Sequence, residues 1–203
     1  MGRAAKFTDQ NILDAALDII AQDGALAATG TAIAKRLGAP SGSIYHRFAS
    51  RDLILATLWI RTIKRFQRGF LEAISQADSR EAAELAVAHT LEWTAAHRNE
   101  AIVLAMYRRE DLMASWPEEL GGELATLNDD VKIAVRDFTT AHFGAANAET
   151  LGKASFALVE LPYSAVRHML RRNARPEWLA DAVTAASLAA LDAGESASGH
   201  RPH

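Results

Sequence analysis

Apolar residues recur at intervals of three and four along almost the whole chain, and strict apolar–polar alternation never persists. Ala, Leu, Glu and Arg dominate these stretches, so the expected fold class is all-α. The first helix is sharply marked. Thr8 can cap it, Asp9 complements the dipole and Phe7 is placed to pack on Ile12. Its apolar stripe is Ile12, Ala15, Ala16, Ile19 and Ile20, and Gly24 ends it. A second helix is predicted from Thr29 to Gly38. A third follows over roughly Ser41 to Phe48, with Pro40 near its first turn, where a missing N–H costs nothing. Ile33, Ala34, Leu37, Ile44 and Phe48 face inward and complete a small three-helix core with the first helix. Ser50 then caps a long fourth helix whose buried side is Leu53, Leu58, Trp59, Ile63, Phe66 and Phe70. Further helices are predicted over 80–97, 100–113, 118–143, 147–173 and 177–193, with breaks at Trp116-Pro117, Gly144 and Arg175-Pro176. Residues 194–203 are small and polar and read as a flexible tail.

Composition sharpens this picture in two places. The 203 residues are 49% apolar, enough for a globular core, and contain no cysteine. Disulfides, thiolate metal sites and cysteine nucleophiles are thereby excluded, in keeping with a reducing cytoplasm. No apolar run approaches the roughly 20 residues of a bilayer span, and no signal-peptide stretch follows the basic start. The formal net charge of −3 hides an asymmetry: residues 1–70 hold ten Lys or Arg against five Asp or Glu, and residues 71–203 hold twelve against twenty. A basic first third on an acidic body suits a polyanion-binding head, although chance clustering on solvated helices would look the same.

The segment 29–48 has the grammar of a helix-turn-helix. Gly38 provides the corner, and the second of the two helices leads with Ser41, Gly42 and Ser43, short enough to approach a groove floor. Thr29, Tyr45, His46 and Arg51 are placed to grip phosphate, Thr31 and Lys35 can add contacts, and the Arg47 guanidinium suits bidentate binding to guanine or phosphate. Each has a plainer role as well: Thr29 as an N-cap only, Tyr45 as a packed ring. On the fourth helix Arg61, Lys64, Arg65 and Arg68 form a ridge at i, i+3, i+4 and i+7, read here as a solvated face rather than a DNA contact.

Residues 6–66 resemble the N-terminal domain of the TetR (tetracycline repressor) family of bacterial regulators. The likeness rests on Ile12-Leu-Asp-Ala-Ala16 with Gly24, on Ile33-Ala34 and Leu37-Gly38, and on Ser43-Ile-Tyr-His-Arg-Phe48 followed by Ser50-Arg51-Asp52-Leu53. It implies that Thr29, Ser43, Tyr45, His46 and Arg51 meet phosphates or bases. It also implies that residues 67–193 form a helical effector-binding and dimerisation domain, and that the protein represses transcription. Two positions depart from the family pattern: Gly30, where an apolar residue is usual, and Pro40, where a serine-like cap is common.

In the body, Ala180, Ala182, Ala185, Ala186, Ala189 and Ala190 mark the final helix as one that allows close approach, either to a second copy or within a monomer core. Trp93, Tyr107, Phe138, His142, Phe156, Glu160 and Tyr163 are the candidate effector-binding residues. Pro162, inside a predicted helix, would free the Leu158 carbonyl beside several of them, or would simply kink the helix. A small, largely apolar or aromatic effector fits that set. No cofactor or metal is expected: His89 and His97 are eight apart, and neither an HExxH spacing nor a phosphate-binding glycine loop occurs. The expected activity is that of a homodimeric DNA-binding regulator on a palindromic operator, not an enzyme. A DNA-binding or architectural protein without an effector is the alternative.

Overall fold

The computed structural model describes residues 7–106 and 120–193. Every regular element among them is helical. Contacts divide the chain into two compact units, residues 1–65 with 99–127 and residues 66–98 with 128–203.

In the first unit, α1 (Asp9–Asp23) opens on a reciprocal cap. Thr8 Oγ1 accepts from the Asn11 amide, and Asn11 Oδ1 accepts from the Thr8 amide. Gly24, at φ 83°, ends it, and a short 3₁₀ turn over Ala25–Ala27 leads to α2 (Gly30–Leu37). Thr29 caps α2 by accepting from the Ala32 amide at 3.1 Å, and Gly38 closes it in the left-handed conformation at φ 61°. The next helix, α3, covers only Ser41–Tyr45 and does not reach Phe48. Pro40 offers it no side-chain acceptor, and its register continues as a turn through Arg47. Ile12, Ile33, Ile44, Ile54 and Leu58 are fully buried where α1, α2 and α3 meet α4 (Arg51–Ile74). Truncating any of these to alanine removes about 2–5 kcal/mol. Val103 on α6 (Arg98–Met106) and Leu124 on α7 (Gly121–Thr126) join the same core.

The second unit is built from the end of α4, α5 (Ser79–Ala96), α8 (Asp129–Phe143), α9 (Ala148–Ser155), α10 (Leu161–Arg172) and α11 (Glu177–Asp192). Ala82, Ala83 and Ala86 are completely buried, so small side chains bring α5 close to its neighbours. Asp78 caps α5 and Asn147 caps α9. The predicted helix over 118–143 is interrupted at Leu127–Asn128, and the expected break at Trp116-Pro117 lies outside the described residues.

The predicted helix over 147–173 holds a surprise at Pro162. A π turn over Phe156–Glu160 precedes it, closed by the Leu161 amide donating to the Phe156 carbonyl. This wide turn places Pro162 in the first turn of α10.

Candidate nucleic-acid interface

Thr29 at the cap of α2, Thr31 and Lys35 on α2, and Ser41, Gly42, Tyr45, His46 and Arg47 on α3 and the turn after it, are all solvent-exposed; Ser43 and Arg51 are half-buried. Among the described residues, Thr31, Lys35, Ser41 and His46 make no side-chain hydrogen bond or ion pair. A Cβ added at Gly42 would meet nothing within 4 Å. The fold therefore leaves the leading edge of α3 short and unobstructed.

Other members of the set are engaged within the chain. The Ser43 hydroxyl donates to the Pro40 carbonyl and so ties down the first turn of α3 in place of a side-chain cap. Arg47 is ion-paired with Asp9 on α1. The Arg51 guanidinium donates to the Ala28 and Ala25 carbonyls and lies 3.5 Å from Asp52. It thereby holds the 3₁₀ turn that precedes α2, a role the sequence does not announce. Tyr45 is half exposed, and its ring end lies directly over Gly30: a Cβ there would come within 2.5 Å of the phenol oxygen.

The basic ridge of α4 is solvated at Lys64, Arg65 and Arg68, as its spacing suggests, but ion pairs run along it. Arg61 donates to Asp14 and Gln10, Lys64 to Glu123 and Arg65 to Glu100, while Arg68 is exposed. Three of the four cations are neutralised by carboxylates of their own unit, which sequence spacing along α4 alone could not reveal.

The residues expected around an effector fall into separate groups. Trp93 is buried, edge-on to Phe66 with ring centroids 5.3 Å apart and stacked on His97. Phe138 stacks on His142 at an interplanar angle of 9°, and His142 Nδ1 is 3.0 Å from Ser79 Oγ. Phe156, Glu160 and Tyr163 lie exposed along the π turn and the start of α10, away from any described cavity, and Tyr107 lies outside the described residues. Neither described cavity is lined by Phe156, Leu158, Glu160 or Tyr163. Of the candidates, Phe138 does line a cavity, one of about 460 Å³ between α8 and the α4–α5 corner. Nothing in the sequence alone singles out its other walls, because the α4–α5 corner faces α8 only after folding. Among the described residues no group of three or more His, Asp or Glu could hold a metal ion, and no helix is long and apolar enough to cross a membrane.

A capped helix pair at a left-handed glycine corner, joined to a second all-helical unit, defines a helix-turn-helix DNA-binding protein. Residues 12–58 match the family model described as bacterial regulatory proteins, tetR family. The whole fold is similar to that of a transcriptional regulator from Rhodococcus sp. Rha1, at 20% identity and a TM-score of 0.70, covering 92% of this chain and 97% of that one. It is also similar to the regulator FadR from Bacillus subtilis in complex with stearoyl-CoA, at 17% identity and a TM-score of 0.68, covering 91% and 98%. The ketosteroid regulator KstR2 of Mycobacterium tuberculosis matches at 18% identity and a TM-score of 0.67, covering 93% and 97%. Comparison with curated protein sequences finds no significant match. Residues 12–58 thus carry a DNA-binding domain of the tetR type, and the chain as a whole shares the fold of these transcriptional regulators.

Proposed function

We propose that two copies of this chain bind a palindromic operator through paired α3 helices and repress transcription until a small effector enters the second unit. The observation that carries the DNA-binding half is the leading edge of α3: Ser41 and Gly42 are exposed and unobstructed, flanked by Tyr45, His46, Thr31 and Lys35. Short side chains suit the groove floor, and the flanking donors suit phosphates. In a symmetric pair the two α3 helices occupy successive major grooves, roughly 34 Å apart.

The dimer reading is supported by what the last helices leave uncovered. Phe156, Val159, Tyr163 and Trp178 are 46%, 44%, 45% and 61% exposed, and Ala182, Ala185, Ala186 and Ala189 are exposed on α11. Large apolar side chains flanking a stripe of alanines form a face that a second copy would bury. The effector reading is supported by the cavity beside Phe138 and by the fold shared with FadR, solved with stearoyl-CoA, and with KstR2, described as a ketosteroid regulator. The effector has a largely apolar body. By binding one arrangement of the two heads more tightly, it shifts the population by about 1–3 kcal/mol. The chain acts by binding, with no chemical step, in the cytoplasm where the DNA is.

Selection of bound fragments from random DNA by the purified chain tests this reading. Enrichment of a palindrome with half-sites one helical turn apart is the expected result. Recovery of fragments with no common sequence would overturn it.

A further inference from the structure

The cavity beside Phe138 has an uneven wall chemistry. Asp130, Ile133, Ala134, Asp137, Phe138 and Ala141 line one side at i, i+3, i+4, i+7, i+8 and i+11, a continuous stripe along α8. Ile74, Ser75, Gln76 and Ser79, from the α4–α5 corner, line the other. Phe138 and Ile74 are 4% and 3% exposed and make an apolar floor. Ile133 stands 58% exposed above it. Ser79 is held in place by its contact with His142.

Charge gives this trough a direction. Asp130 and Asp137 are exposed at its rim, and among the described residues neither has an ion-pair partner, whereas the adjacent Asp129 is matched by Lys132. No lysine or arginine lines the cavity. Seven helical residues separate the two carboxylates, which places them about 10 Å apart along α8. An anionic ligand would be repelled at both ends and a cationic one attracted.

We infer that this cavity binds a linear organic dication, an aliphatic diamine whose two ammonium groups are about 10 Å apart. One ammonium pairs with Asp130 and the other with Asp137. The methylene chain between them lies on Ile74 and Phe138 and covers Ile133. Ser75, Gln76 and Ser79 offer oxygens to the remaining N–H donors. The binding site stands on its own geometry; only its link to DNA release rests on the effector-responsive reading above.

The experiment is calorimetric titration of the full chain at low salt with diaminooctane, octylamine and octanoate. Diaminooctane should bind more tightly than octylamine, and octanoate should not bind. Asp130→Asn and Asp137→Asn should each weaken diaminooctane about two- to fivefold, the contribution of an exposed ion pair. The double variant should bind it no better than octylamine. Both carboxylates are exposed, so the variants should keep the wild-type helical content, checked by circular dichroism. Octanoate binding as tightly as diaminooctane, absence of diaminooctane binding, or an unchanged affinity in the double variant would each overturn the site. Titration of the selected DNA fragment is run in parallel, with the double variant separating the site from direct binding of amines to DNA. Diaminooctane binding without any change in DNA affinity upholds the site and removes only its effector role. Intact DNA binding without diaminooctane binding leaves the DNA-binding reading standing and removes the site.

Discussion

The ring of Tyr45 closes over the bare backbone of Gly30, with its phenol oxygen 2.5 Å from where a Cβ would stand. Gly30 is the first residue of α2 and is buried, while Tyr45 ends α3 and is half exposed. The glycine that weakens the start of one helix thus creates the seat for a side chain of the next. Gly30→Ala should improve the intrinsic helix propensity of α2 by up to about 1 kcal/mol while forcing the Tyr45 ring out of its seat. Affinity for the selected operator should fall roughly three- to tenfold, the value of one neutral hydrogen bond, with the melting temperature within a few degrees of wild type. Fluorescence anisotropy beside thermal melting separates the two effects. An unchanged affinity would show that the seat does not matter to DNA.

Arg51 demands the opposite test. Its guanidinium holds the Ala25 and Ala28 carbonyls, so Arg51→Lys, which keeps the charge but loses the fork, should destabilise the fold. The expected loss is about 1–3 kcal/mol, seen as a drop of several degrees in melting temperature by calorimetry. A residue acting through phosphate alone would tolerate lysine and leave the melting point where it was.

How much of this was legible beforehand varies with the range of the interaction. Thr8, Thr29 and Gly38 mark their helix ends in the sequence because a cap is decided by residues three or four positions apart. Ile12, Ile33 and Ile44 were readable as core for the same reason, through helical spacing. What the spacing hides is every partner that arrives from elsewhere in the chain. Arg61 reaches Asp14 and Arg65 reaches Glu100, which turns an apparently free ridge into a seam. The π turn before Pro162 is equally silent, because a proline in a helical pattern announces a disturbance but not its form. Phe156, Glu160 and Tyr163 are exposed on and just after that turn, which spacing alone does not reveal.

Gly42 separates fold from function more cleanly than any serine beside it. Beyond its own helix, no described residue lies within 4 Å of a Cβ placed there, and the residue is exposed in a helix. Gly42→Ala should therefore raise stability by about 0.5–1 kcal/mol. If α3 approaches the groove floor, the same methyl group should weaken operator binding by at least threefold in a gel-shift titration. A variant that is more stable and binds equally well would move α3 away from the bases.

Salt dependence distinguishes the free cations from the paired ones. Lys35 is exposed and unmatched, so Lys35→Ala should lower the magnitude of the slope of log affinity against log salt by about 1. Lys64 and Arg65 are held by Glu123 and Glu100, and their replacement by alanine should leave that slope unchanged. The Lys64–Glu123 pair is exposed, so its loss should cost under about 1 kcal/mol, whereas Glu100 is only 14% exposed and loss of Arg65 should cost about 1–3 kcal/mol. A reduced slope for Lys64→Ala or Arg65→Ala would mean that the seam opens when DNA binds.

The proposed dimer would use the exposed face of the last helices, whose residues can be changed without entering either core. Tyr163 and Trp178 are 45% and 61% exposed, so Tyr163→Glu with Trp178→Glu removes little packing within one chain. In a dimer the same two changes place four carboxylates in a desolvated interface, where each unpaired charge carries a penalty of several kcal/mol. Sedimentation should show the wild-type chain at the mass of two copies and the double variant at one, with identical helical circular dichroism. Operator binding should collapse together with the dimer, because one α3 helix holds only half of a palindrome. A variant that still sediments as two copies would place the interface on another face, and the exposed Phe156, Val159, Tyr163 and Trp178 would then need a different partner.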